Sequence, residues 1–539
     1  MVIVPDSDII LIKSPLKLDN YNQITFSNAT TQYNYFHGLT HLEYDNCTYQ
    51  RKDGVIRYAT GNNLRYEDLL QYNYCMYKND SYKDKWFYAF VTDIKYVNDG
   101  MSEVTIETDV FQTWQFDIQY MNSFIEREHV SNDTPGLHTI PENLETGEYV
   151  VSYYNHLDEL TSYTIILAST CDPQTFASDG GNVYGGVFQG FNLYSYAMTD
   201  AGITALQNDL MNMNTNQKLD AVVGIYLCNP SFYVTESASF GSKITPEKTP
   251  RGFTWGSHGY PGDSPITKLN SLNGYTPKNG KLKTYPYMYL LLDNGNGGQA
   301  TYKYELFNDP VTPNICDFTI VGTPTLGGSY YASPETYGAT QNVSNWNKYR
   351  LAGGKLPTCG FQNDTYINWL TQNAVSIGTG LATDTASIVG GAGLIASGGG
   401  ASYGTTQIAG GISGIINTLW KLHTESLVPP QHVGNAQTGD ANLVSGLTTF
   451  TAFGMTIKYE YAKMIDDFFT MYGYKVNRLA TPNIHKRSNW DYIKCIDVNL
   501  EGNIPENDLN KIRSLFNNGC TFWHTTSNYL DYSQTNSIL

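Results

Sequence analysis

Lys85-Trp86-Phe87-Tyr88-Ala89-Phe90-Val91-Thr92 is a run of bulky apolar side chains without helical spacing, which fits a strand buried on both faces. Asn98-Asp99-Gly100 then supplies turn chemistry. Glu103-Val104-Thr105-Ile106-Glu107 alternates polar and apolar residues, as a strand with one wet face should. The pattern predicts an antiparallel hairpin, and it sets the character of everything around it. Residues 1–165 are expected to form an N-terminal β domain.

Outward from there, residues 166–340 form a second β-rich region. Ala221–Leu227 and Tyr287–Leu292 are short apolar runs. The second enters Asp293-Asn294-Gly295-Asn296-Gly297-Gly298, after which Tyr302, Tyr304 and Leu306 alternate with charge, so a second hairpin is predicted. One helix is predicted over Ala201–Met211, capped by Thr199 or Asp200. Residues 341–373 are a connecting segment, and 438–539 are expected to be a compact α+β unit. There, Tyr461, Met464, Ile465, Phe468, Phe469 and Tyr472 fall at helical spacing, with Gly473 placed to end the helix. Tyr492–Val498 is read as a strand, Glu506–Phe516 as an amphipathic helix, and Cys520–His524 as the last strand. The fold class is β-rich α+β, in several domains.

One segment differs in kind. From residue 365 to 420 the sole charged residue is Asp384, and Gly, Ala, Ser, Thr and Ile dominate. A flexible linker has no need of so many branched apolar residues, and a packed helix would not carry so many glycines at about 1 kcal/mol each. A segment sequestered in one state and inserted into lipid in another accounts for both features. Small residues permit close packing of several copies in a bilayer, and Trp420-Lys421 suits an interfacial anchor. The residues expected to carry this activity within 374–437 are Ile388, Val389, Leu394, Ile395, Ile408, Ile412, Ile415, Ile416, Leu419 and Trp420.

The bulk numbers narrow the function. With 41% hydrophobic and 15% charged residues, the chain of 539 can bury a core, and 43 tyrosines favour β surfaces and wet interfaces. A net charge of -17 without a basic patch argues against gripping nucleic acid, although an acidic lumen would let DNA pass without sticking. The eight cysteines are scattered with no C-x-x-C pair, so buried thiols are expected rather than a disulfide or metal framework. Met1-Val2-Ile3-Val4-Pro5 opens no signal peptide, which places synthesis and assembly in a cytoplasm.

Catalytic motifs are weak. Gly400-Ala401-Ser402-Tyr403-Gly404 matches a nucleophile elbow, but its flanks are Gly, Ala, Ser and Thr, where a match is expected by chance; Gly391-Ala392-Gly393-Leu394-Ile395-Ala396 matches a dinucleotide loop, but no Asp or Glu lies between Thr385 and Thr424. His37 and His41 stand four apart, like zinc ligands on a helix, yet the zincin acid is missing and Tyr33–Phe36 reads as loop or strand. Glu126-Arg127-Glu128-His129 and Asp466-Asp467 read as solvated surface, since adjacent side chains point apart. No catalytic, cofactor or metal residue is assigned, and the chain is not read as an enzyme.

Five blocks carry a family resemblance: Lys85–Thr92, Asp109–Trp114, Ser123–Val130, Tyr472–Arg478 and Asn517–Thr525. In order and spacing they resemble the tail knob proteins of small short-tailed phages of Gram-positive bacteria, the group with protein-primed replication. The likeness is good over 85–150 and 440–530 and thin between, where Lys281-Leu282 before Tyr285-Pro286-Tyr287 is its main trace. The resemblance implies a hexameric β-rich tube at the distal end of the virion tail. An upper-tail or collar protein and a tail-tip protein would be its neighbours, and DNA would cross the lumen without specific binding. It further implies that the segment 374–437 plugs the lumen before ejection and then breaches the host cytoplasmic membrane. Two alternatives stay open: a purely structural tube with a plug, and a tail-tip cell-wall hydrolase or glycan-binding protein.

Overall fold

A computed structural model describes residues 7–19, 21–47, 50–60, 64–79, 85–157, 164–197, 199–255, 265–295, 297–309, 311–325, 328–335, 337–338, 349–355, 358–360 and 450–539. The apolar segment 374–437, with all ten residues from Ile388 to Trp420 named above, lies outside the described residues, as do both glycine motifs within it. Within the described residues the chain divides into two units that interleave along the sequence. One gathers 1–146, 277–282 and 460–539; the other holds 147–276 and 283–459. The segment 460–539 thus shares a unit with the N-terminal strands. The reason lies in strand pairing between the chain's two ends.

In the first unit a six-stranded antiparallel sheet runs in the order His41–Cys47, Ser7–Ile12, Tyr74–Asn79, Trp86–Asn98, Met101–Thr108, Val55–Ala59. The expected hairpin is there: Ile94 faces Val104 and Asn98 faces Met101, with the Gly100 N–H donating to Asn98 Oδ1 at 2.9 Å. Phe87 to Phe90 are buried on consecutive positions, as a strand covered on both faces requires. A second sheet orders Asn22–Ile24, Cys520–Trp523, Trp490–Ile496, Ser123–Glu128 and Tyr474–Ala480. Its first pair is parallel, with Asn22 opposite Thr521 and Ile24 opposite Trp523. Trp490 and Trp523 join Ile10, Phe36, Tyr74 and Phe90 in one apolar core, so the last strands complete the interior of the first.

Local chemistry explains the helices. Asp109 caps the short helix Val110–Trp114, accepting from the Gln112 N–H at 3.1 Å. Helix Tyr459–Tyr472 stops at Gly473, whose φ is +63°. A Cβ there would lie 2.2 Å from the Glu128 carbonyl oxygen, so the position accepts glycine alone. Helix Glu506–Asn518 ends at Gly519 in the same left-handed region of φ.

The second unit contains antiparallel sheets. One orders Tyr149–His156, Thr451–Ile457, Met288–Asp293 and Gln299–Tyr302; another orders Ser242–Lys243, Asn192–Ala197, Thr164–Ser169, Val222–Cys228 and Thr358–Gly360. The predicted helix runs Asp200–Thr215 with Thr199 as its cap. The hairpin at Met288 ends earlier than expected. Its second strand stops at Tyr302, and Tyr304–Leu306 is a 3-10 turn that feeds Phe307 into an aromatic cluster with Tyr302, Phe318 and Tyr337.

Two local readings change. Ala29–His37 is an α-helix, not a loop or strand: Asn28 caps it through the Thr31 N–H at 2.8 Å, and Phe36 packs on Tyr74 and Tyr88. Burial of that face outweighs the strand preference of its aromatics. Nor are the paired acids solvated. Glu128, His129 and Asp466 are buried, while Asp467 remains exposed. Cys75, Cys171, Cys228, Cys316, Cys495 and Cys520 are buried free thiols.

Candidate functional site

The chemistry of the first unit concentrates where its distant segments meet. Strand Ser123–Glu128 breaks its alternation at Glu126, where the register against Trp490–Ile496 shifts between Arg127 and Ile125. Glu126 pairs with Lys494 at 2.8 Å near the surface. Glu128, two residues on, is buried and accepts from Arg478 Nε at 2.9 Å, with Lys486 on its other oxygen. A second buried carboxylate, Glu142, receives Arg127 on one oxygen and Lys281 on the other, and also accepts the Lys475 N–H at 2.9 Å. Burial pulls the Lys281 amine below its usual value, and the Glu142 charge opposes that.

The segment Pro277–Leu282 is stitched in by backbone donors. The Lys278 and Asn279 N–H groups donate to the Asp466 carboxylate at 2.8 and 3.1 Å, and the Gly280 N–H donates to Asp133 at 2.9 Å. The Tyr474 hydroxyl donates to the other Asp133 oxygen at 2.5 Å. His129 is held as a neutral ring. Its Nε2 donates to the Thr470 carbonyl at 3.1 Å and its Nδ1 accepts the Tyr492 N–H at 2.7 Å. Burial, with Arg487 and Lys486 nearby, pushes its pKa down to about 4 despite the Asp491 charge.

One arrangement has the outline of a hydrolytic triad: Thr25 Oγ1 lies 2.7 Å from His524 Nδ1, and His524 Nε2 lies 3.1 Å from Asp491. Burial alone would raise the Asp491 carboxyl, but hydrogen bonds from the His524 ring and from the Arg487 and Lys486 N–H groups hold it below the usual range. The hydroxyl sits in the pairing of the two chain ends, also donating to the Trp523 carbonyl at 3.1 Å. It is buried, and nothing about it presents a reacting carbonyl to donors at about 3 Å. A cleft of about 170 Å³ elsewhere in this unit, between Glu107, Asp109 and Lys511, is small against the several hundred Å³ of ordinary ligand sites. The arrangement as a whole serves to lock segments together.

The sequence singled out His37 and His41, and the structure brings their rings to 4.5 Å. It missed Glu142, Asp133, Lys281 and Lys486 as buried charges, because their partners lie far off in the chain.

The motif blocks that carried the resemblance now have neighbours: Ser123–Glu128 pairs with both Tyr474–Ala480 and Trp490–Ile496. Comparison with known proteins agrees. Residues 255–537, more than half of the chain, match the family described as the tail knob protein gp9 C-terminal domain of Bacillus phage phi29. Residues 6–119 match the caudoviral major tail protein N-terminus. The tail knob protein gp9 of Bacillus phage phi29 is 26% identical over 594 aligned positions, covering 98% of both chains. That of Bacillus phage PZA is 26% identical over 581, covering 96% of each. Among solved structures, the tail knob protein gp12 of bacteriophage C1 superposes with a TM-score of 0.64 at 15% identity, covering 99% of this chain and 100% of that one.

Proposed function

This chain belongs to the tail knob family of phage phi29 gp9 and is a structural component of the distal phage tail, and from that premise we propose that it builds the tube through which the genome leaves the particle. Family membership over 255–537 is the observation that carries this reading. The described sheets are open, with edge strands such as His41–Cys47, Val55–Ala59 and Tyr474–Ala480. Open sheets enclose a lumen when several copies close a ring, and a hexamer is the proposed ring. The net charge of -17 supports a wall along which DNA slides without specific binding. The chain works by assembly with neighbouring tail proteins and not by catalysis.

The segment 374–437 is proposed as the plug and membrane-penetrating element. Its support is chemical: no charge but Asp384 from 365 to 420, with Ile388, Val389, Leu394, Ile395, Ile408, Ile412, Ile415, Ile416, Leu419 and Trp420 as the apolar payload. Inside a sealed tip these bury against their counterparts at about 25 cal/mol per Å², and lipid replaces those contacts after release. No helix among the described residues is long and apolar enough to cross a membrane.

Dye release from liposomes, measured with the intact protein and with a version lacking 374–437, tests the proposal. Leakage from the intact protein alone is expected. Equal leakage from both, or none from either with rings intact on a sizing column, leaves a tube whose segment only plugs. Release of soluble fragments from purified peptidoglycan would favour a wall hydrolase instead.

A further inference from the structure

We propose that His37, His41 and Glu43 form a binding site for a divalent transition-metal ion, for which Zn(II) is the representative. The three come together for reasons of element geometry. His37 is the last residue of helix Ala29–His37, His41 is the first residue of strand His41–Cys47, and Gly38-Leu39-Thr40 makes the turn between them. His41 and Glu43 are two apart on the strand, opposite Ile12 and Ile10, and so share one face of the sheet. The helix end brings His37 onto that face.

The donor atoms are already clustered. All three ligand atoms lie within 4.8 Å of one another, and His37 Nε2 is 3.6 Å from Glu43 Oε2. Donors on a tetrahedral Zn(II), each at about 2.0–2.1 Å from the ion, stand closer together than this, so binding draws the side chains inward by roughly an ångström. Both histidines are half-buried and Glu43 is exposed, so a fourth position is left to water.

The surroundings also suit a cation. The Leu39 carbonyl accepts from His41 Nδ1 at 2.9 Å. A carbonyl cannot donate, so Nδ1 carries the proton and Nε2 keeps its lone pair, the arrangement that backbone partners impose on metal-ligating histidines. Tyr33 stacks on the His37 ring, 5.3 Å between centroids, and fixes it. A bound ion would clip the helix end to the edge strand of the six-stranded sheet.

The test is Zn(II) uptake by the full-length chain after chelator treatment, read by equilibrium dialysis and metal analysis. About one Zn(II) per chain is expected, with His41→Asn losing it and Glu43→Gln binding at least about tenfold more weakly. His485→Gln, at a ring 4.9 Å from that of His524, should bind as the wild type does. A wild-type chain that takes up no Zn(II) at micromolar concentration, or a His41→Asn variant that binds unchanged, overturns the proposal. A readout on the unmutated chain guards against misfolded variants. Zn(II) should protect His37 and His41 from diethyl pyrocarbonate while the exposed His156 still reacts; equal labelling of all three with and without Zn(II) also overturns it.

Discussion

In the unit that gathers both chain ends, Lys281 and Glu142 keep 3% and 0% of their side-chain surface, and Lys486 and Glu128 keep 7% and 1%. In the other unit, Lys458 and Glu148 keep 38% and 82%. Both units bury rings, and in the second Tyr302 meets Phe318 and Tyr337 edge to face. Strand origin differs between particular pairs, although the second unit too brings Thr451–Ile457 to Tyr149–His156 from far along the chain. Met288–Asp293 and Gln299–Tyr302 are joined by a short turn that sets their register locally. Ser123–Glu128 must find Tyr474–Ala480 and Trp490–Ile496 across more than 300 residues. A slip of one residue turns every side chain to the other face, and for Glu128 it also separates a buried charge from its partners. We read the buried pairs as register pins, a role that buried ionic groups have in other folds.

The hardest way to break this comparison is to remove one pin. Glu142→Gln keeps an acceptor for the Lys475 N–H but strips the counter-charge from both Arg127 and Lys281. Leaving buried charge uncompensated costs about 3–5 kcal/mol. Urea unfolding of the purified chain, with hydrogen exchange followed on Ser123–Glu128, should show early loss of that strand. A variant as stable as the wild type would mean that the pairs only decorate a sheet fixed by its apolar side chains.

Acid should loosen the same region by a second route. His129 has a pKa near 4 in the fold against an ordinary 6.5. The unfolded chain therefore takes the proton first as pH drops. The stabilisation is complete above pH 6.5, falls between about 6.5 and 4, and is gone below the folded value. The loss reaches about 2 kcal/mol at pH 5 and about 3 kcal/mol below pH 4. Asp109, which burial raises to about 6, acts in the opposite sense and is common to both proteins compared. Stability measured at pH 7 and pH 5 for wild type and His129→Gln isolates the imidazole: the wild type should lose about 2 kcal/mol more. Equal losses would remove His129 from the account.

How much of this could be read beforehand follows the same division. The Trp86–Thr108 hairpin was legible because its signals are neighbours: an aromatic run, Asn98-Asp99-Gly100 and an alternating strand. Gly473 and Gly519 announced their helix ends for the same reason. The parallel pairing of Asn22–Ile24 with Cys520–Trp523 left no local trace, and without it the C-terminal segment reads as a unit of its own. Burial of Glu128, His129 and Asp466 was hidden too, because each is satisfied by partners far off in the chain. His37 and His41 showed their spacing, but Glu43 falls outside any helical motif and joins them only once the strand turns back.

The smallest expected effect is the control that gives the others meaning. Glu148 is fully exposed, and Lys458 holds its carboxyl below the usual range through a hydrogen bond at 2.6 Å. In bond length it compares with the contacts of the other unit, but water solvates the carboxylate already and screens the pair. Nothing is left stranded when the charge goes. Glu148→Gln should therefore leave the urea midpoint unchanged within error, at low and at high salt alike. If it instead destabilised the chain as Glu142→Gln does, burial would not be what separates the two units, and the register argument would fail with it.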